Sequence, residues 1–291
     1  MQKIKAPLPP SKSKNSSSTA APAPKAPVVK KSFSAPMPWD GSTDGEKIIL
    51  YADSGMGKTT LSSMAPKPVF IGLDDGGRKI VHPITGEHLM AFPGVETFAD
   101  VRCVLQQPDL FKGYETVVID TATLLEELAI DYVLENIPNE KGVKMSDIVK
   151  YGYNKGYRHL YDTMKLILQD CDGLVKTGIN VILIAQSAPI KVANSAGDDY
   201  LRDGPRLTAN RDANVEALYC EWADHVLKIG YNALQVKEKK VSASDQRVIF
   251  VHGASYFRAK SRTIGTEYPV ISFDSKTDDS IWQFLFGENN E

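Results

Sequence analysis

The sequence predicts an α/β fold: a mostly parallel sheet with helices on both faces and antiparallel strands toward the C-terminus. Two observations predict it. Four short apolar runs, at residues 48–52, 69–73, 116–119 and 179–185, are too uniformly hydrophobic to leave one face in water, which suits strands covered on both sides. The segments between them carry helical spacing, and strands alternating with helices imply parallel pairing through right-handed crossovers.

The elements follow in order. Residues 1–40 are rich in Pro, Ser, Ala and Lys, with few large apolar side chains, and predict a disordered tail. The folded domain is expected over 41–287, with a short tail at 288–291. Residues 48–52 form a buried strand that runs into the Gly-rich loop Ala52–Thr59, and a short helix from Lys58 to Met64 closes at Pro66. Val69–Leu73 is the second strand, ending in Asp74-Asp75-Gly76-Gly77. Thr97 caps a helix reaching about Gln106. Thr116–Ile119 leads into Asp120. Leu124, Leu125, Leu128 and Tyr132 mark one helix; Tyr157, Leu160, Tyr161, Met164, Leu168, Cys171 and Val175 mark one face of a longer one. Ile179–Ala185 ends in Gln186. A polar stretch, 187–214, reads as a long functional loop. A helix near 212–221 follows, then strands near 223–229, 247–251 and 255–260.

Composition narrows the function classes. Hydrophobic residues make up 42% of the 291, enough for a full core. Lys3, Lys5, Lys12, Lys14, Lys25, Lys30 and Lys31 face one acid, Asp40, in the first forty residues. Removing these from totals of 34 basic and 36 acidic residues leaves 27 and 35, so the body is net acidic and nucleic-acid contact must come from local patches or the tail. Cys103, Cys171 and Cys220 lack zinc spacing and read as buried thiols of a reducing compartment. With no apolar run of membrane-spanning length, a cytoplasmic chain that does not enter a membrane is expected.

In an open α/β sheet, ligands bind beyond the carboxyl ends of the strands, where the loop, Asp74, Asp75, Asp120 and Gln186 all fall. The segment Ala52-Asp53-Ser54-Gly55-Met56-Gly57-Lys58-Thr59 fits a phosphate-gripping P-loop, with Ala52 at the usual first glycine. Asp53 to Thr60 are therefore the expected binding residues for ATP. Lys58 would reach the β and γ phosphates, and Thr59 and Asp120 would hold Mg²⁺. Asp74 and Asp75 are candidates to activate water, and Gln186 to sense the γ phosphate.

With these residues in place, the chain resembles the phage-encoded RecA-like P-loop ATPases of the Sak single-strand annealing group, over Lys47 to Ser272. The likeness rests on the P-loop, Val69-Phe70-Ile71 leading to Asp74–Gly77, and Asp120-Thr121. It continues through the segment Tyr151 to Tyr157, Ala185-Gln186, Trp222-Ala223-Asp224 and the segment Phe257 to Thr263. It implies a RecA-like sheet and a homo-oligomer with nucleotide at subunit interfaces. Asp74 matches the water-activating acid, usually glutamate, so the shorter side chain bears on the hydrolysis rate. Lys260 and Arg262 match a basic pair that acts on the neighbouring subunit's nucleotide, and 187–214 matches a DNA-contacting region. Read from the residues alone, alternate cations at 258, 260 and 262 equally suit a solvated strand edge. The implied role is phage DNA recombination, annealing or replication, with single-stranded DNA as ligand and host cytoplasm as location. The alternative is a nucleotide-gated, slowly hydrolysing module that recruits a partner such as a single-strand-binding protein. A small-molecule kinase would need a lid and an acceptor site, and neither is marked.

Overall fold

Strand β1 (Lys47–Ala52) sits in the middle of the sheet, with all but its first residue buried. This computed structural model describes residues 40–287 except 195–196, 233, 238–239 and 244–245. The chain divides between Trp39 and Asp40; the tail expected at 1–40, all but Asp40, and that at 288–291 lie outside the described residues.

After β1 come α1 (Lys58–Ser63), β2 (Pro68–Gly72), α2 (Phe98–Leu105), β3 (Thr116–Asp120), α3 (Ala122–Asn136), α4 (Lys155–Val175) and β4 (Asn180–Val192). Then follow β5 (Tyr200–Pro205), β6 (Ala209–Asn210), β7 (Ala213–Asn214), α5 (Val215–Trp222) and β8 (His225–Tyr231). The chain continues through β9 (Leu234–Lys237), β10 (Lys240–Ala243), β11 (Arg247–Phe250), β12 (Val270–Ser272) and α6 (Ser280–Phe286). The main sheet has the order β12-β11-β8-β1-β4-β3-β2. Its β8, β1, β4, β3 and β2 pair in parallel, while β11 and β12 are antiparallel. This is the α/β class expected, with a mostly parallel sheet and antiparallel C-terminal strands.

Alternation along each strand divides the core in two. Ile49, Tyr51, Val69, Ile71, Val117, Ile119, Val181 and Leu183 face the layer formed by α2, α3, α4 and α5. Ile48, Leu50, Phe70, Val118, Ile182 and Ile184 face Leu61 of α1 and Ile281 and Trp282 of α6. Both faces are covered, which is why the strands read as unbroken apolar runs. Local signals set the helix starts. Thr97 accepts from the Asp100 amide at 3.2 Å while Asp100 accepts from the Thr97 amide at 2.8 Å, a reciprocal cap on α2. Thr121 caps α3 through the Leu124 amide at 3.2 Å.

Four sequence expectations need correction. The stretch 187–214 is no featureless loop, because β4 runs on past Gln186 to Val192 and pairs antiparallel with β5. Residues 255–260 form only isolated bridges, Asp203 with Phe257 and Val226 with Lys260, because β8 already takes β11 as its ladder partner farther along. The sheet edge is instead β12, and α6 follows it; neither was expected. Cys171 and Cys220 are buried thiols as expected, but Cys103 is exposed. Among the described residues, no helix is long and apolar enough to cross a membrane.

Candidate functional site

The loop from β1 to α1 turns through Gly55 (φ 80°) and Gly57 (φ 95°), the left-handed region that glycine enters freely. At Gly57 a Cβ would lie 3.1 Å from the Arg247 guanidinium and 3.2 Å from the Phe273 ring, so a side chain there would be strained by φ and would crowd both neighbours. Arg247, on β11, donates to the Met56 carbonyl at 3.2 Å and lies 4.6 Å over Phe273, bracing the loop from behind. The Met56 side chain joins the core below α1, so its contribution to the loop is its main chain.

Lys58 is 6% exposed, and its ammonium donates to the carbonyls of Ala52 (3.0 Å) and Asp53 (2.9 Å) and to Gln186 Oε1 (3.1 Å). Burial lowers its pKa, against the pull of the Asp120 and Asp53 carboxylates. Thr59 Oγ1 donates to Asp120 Oδ2 at 2.7 Å, joining the start of α1 to the end of β3. Asp120 is 5% exposed, and burial raises its carboxyl to about 6, opposed by the Thr59 hydrogen bond.

These groups converge on a cavity of about 340 Å³ lined by Ser54, Gly55, Thr60, Asp74 and Thr121 as well as Lys58, Thr59, Asp120 and Gln186. The two candidate acids separate here. Asp74 borders the cavity and accepts from the Gly76 amide at 2.9 Å; Asp75 points elsewhere and pairs with Arg78 at 3.0 Å. Gln186 is fixed by its own backbone: its amide donates to Thr123 Oγ1 (3.1 Å), and its carbonyl accepts from the Arg206 amide (2.7 Å).

Lys260 and Arg262 are not part of this cavity. Lys260 bridges Val226 and reaches the Glu221 carbonyl at 3.3 Å, and Arg262 pairs with Asp224 at 3.1 Å. The Asp224 amide bonds to Lys47, at the first residue of β1. Arg262 is thus held at the amino end of the sheet, about 16 Å from the loop by strand rise, and Lys260, beside Val226 opposite Ile49, is about 10 Å from it along the strands. Arg258 forms an ion pair with the buried Glu216 at 2.8 Å, so it is not a solvated edge cation. Sequence reasoning missed Arg247 and Thr123 and read Arg206 only as one of the basic residues of the 187–214 stretch, since each reaches the site through pairing between distant elements that leaves no local pattern.

The oxygen-only pair of Thr59 and Asp120 fits a hard divalent cation, and the glycine-built loop with Lys58 fits phosphate. The match to a family model agrees in outline. Residues 44–263 match the family described as AAA domain. The SPbeta prophage-derived uncharacterized protein YorG of Bacillus subtilis (strain 168) is 23% identical over 208 residues, 69% of this chain and 55% of that protein, so the chain spans about half the relative's length. Among solved structures, RadB recombinase is 14% identical with a TM-score of 0.38, over 71% of this chain and 80% of its own. The KaiC-like protein PH0186 of Pyrococcus horikoshii OT3 is 13% identical with a TM-score of 0.37, over 79% and 90%.

Proposed function

The chain belongs to the AAA domain family, and from that membership we propose that residues 41–287 form a RecA-like, Mg²⁺-dependent ATPase domain acting in phage DNA recombination, single-strand annealing or replication. The observation that carries the ATPase reading is the convergence of Lys58, Thr59, Asp120 and Gln186 at one cavity, with Thr59 and Asp120 2.7 Å apart. Lys58 grips the terminal phosphates, and the loop amides orient them. Thr59 and Asp120 would hold the metal, which when bound would neutralise charge on the phosphate oxygens. Asp74 accepts the proton of the attacking water. Gln186 reads the occupancy of the γ position through the amide that now accepts from Lys58.

The prophage origin of the relative supports a phage setting and hence the host cytoplasm; membership of the Sak group remains the reading that the sequence motifs support. Lys260 and Arg262, remote from this chain's own cavity, are assigned to a neighbouring subunit's nucleotide in a homo-oligomer, and single-stranded DNA is the proposed ligand of the assembly. The test is ATP turnover measured against protein concentration, with and without single-stranded DNA. A steep rise with concentration and stimulation by DNA are expected; a rate per molecule that is flat in both removes the shared-site reading.

One observation favours the second reading, a slowly hydrolysing module that recruits a single-strand-binding protein. One Asp74 oxygen is engaged by the Gly76 amide, and aspartate is one methylene shorter than glutamate. If that reading holds, capture of the partner survives Asp74→Asn but not Lys58→Ala.

A further inference from the structure

The segment that follows β5 brings an arginine beside Gln186 that no motif marks. In the β4–β5 ladder Ser187 stands opposite Pro205. The Arg206 amide donates to the Gln186 carbonyl at 2.7 Å, which carries the register on by one pair, Gln186 opposite Arg206. Directly opposed residues of an antiparallel pair project from the same face with Cβ atoms about 5 Å apart. The Gln186 side chain points at Lys58, 3.1 Å away, so the Arg206 side chain leaves the same face of the ladder next to it, outside the residues that line the cavity itself.

The Arg206 backbone is held on both sides. Its carbonyl accepts from Thr123 Oγ1 at 3.2 Å, and two residues on, the Thr208 amide donates to Glu126 at 2.8 Å. Arg206 is exposed, and among the described residues its side chain makes no hydrogen bond or ion pair. Its charge is felt at Lys58, where it opposes protonation. A held backbone that presents an exposed guanidinium next to Gln186, the partner of the phosphate lysine, suits an anionic ligand, and a guanidinium matches phosphate oxygens in a two-pronged geometry.

We propose that Arg206 is a same-chain contact for the terminal phosphate of the bound nucleotide, so that the site distinguishes triphosphate from diphosphate without a neighbouring subunit. This rests on the phosphate-site reading above and adds a residue to it. The role differs from that of Lys260 and Arg262, which act between subunits.

The test is calorimetry on the full chain with Mg²⁺, using the β,γ-imido analogue of ATP and, separately, ADP. Arg206→Gln is expected to weaken the analogue by about tenfold to a hundredfold, the worth of a hydrogen bond to a charged group, and to leave ADP within about twofold. Arg206→Lys should recover part of the loss. Because the backbone makes the structural contacts, the melting midpoint without nucleotide should be unchanged in both variants. Equal weakening of both nucleotides, or analogue affinity within about twofold of wild type, overturns the inference. Wild-type chain that takes up neither nucleotide overturns the phosphate-site reading itself, and this one with it.

Discussion

Glu126 holds a carboxylate in a poor place for charge. Burial raises its carboxyl to about 7, although the Thr208 amide, at 2.8 and 3.0 Å from its two oxygens, pulls the other way. An exposed glutamate titrates near 4.3. Between about pH 4.5 and 7 the folded chain therefore keeps a proton that the unfolded chain has lost, and this group's contribution to stability falls as pH rises through that window. Glu126→Gln removes the dependence and keeps an acceptor for Thr208. Its stability relative to wild type should grow from about zero at pH 4 to at most roughly 4 kcal/mol at pH 8, as read from urea midpoints; a gap constant with pH contradicts the assignment. At the cavity, Lys58→Ala should abolish ATP binding, whereas Asp74→Asn should bind normally and turn over slowly. Asp75→Asn should be close to wild type in both, since Asp75 faces Arg78 in solvent. Equilibrium binding and single-turnover rates separate the three.

Among the elements, α6 shows how much a short segment can contribute. Trp282 is 3% exposed, and its indole nitrogen donates to the Leu61 carbonyl of α1 at 2.8 Å. Trp282→Ala should destabilise the chain by about 3–5 kcal/mol and weaken nucleotide binding by loosening α1, checked by denaturant melts with and without ATP. Nothing in the sequence announced this helix, because seven residues hold too few turns for a periodic signal. The central strands were legible for the opposite reason: Val117-Val118-Ile119 and Val181 to Ala185 are buried on both faces, so every position is apolar. Past Gln186 the same strand loses one covered face, takes Ser187, Pro189 and Lys191, and reads as loop although it remains paired. The site divides along the same line. Lys58, Thr59 and Asp120 sit at the ends of legible strands, while Arg206 and Arg247 reach it through pairing between elements far apart in the chain. The choice between Asp74 and Asp75 required the turn at Gly76 to be seen.

For the whole molecule, the separation between the loop at the carboxyl ends of the strands and Arg262 at the amino end bears on assembly. Arg262→Ala should leave stability nearly unchanged, since its pairing with Asp224 is a partly exposed ion pair worth little. Nucleotide affinity should also hold, with turnover falling only where subunits associate and recovering in part when the variant is mixed with wild type. Slowing that is independent of protein concentration contradicts an intersubunit role. The Trp282 contact has a different consequence, one set by the order of synthesis. Leu61 and Trp282 lie 221 residues apart, so a ribosome releases the phosphate-loop helix long before its cover. Until Trp282 has been made, that helix has one bare flank and its Leu61 carbonyl lacks the indole, and a nascent chain stopped short of Trp282 should not yet retain ATP.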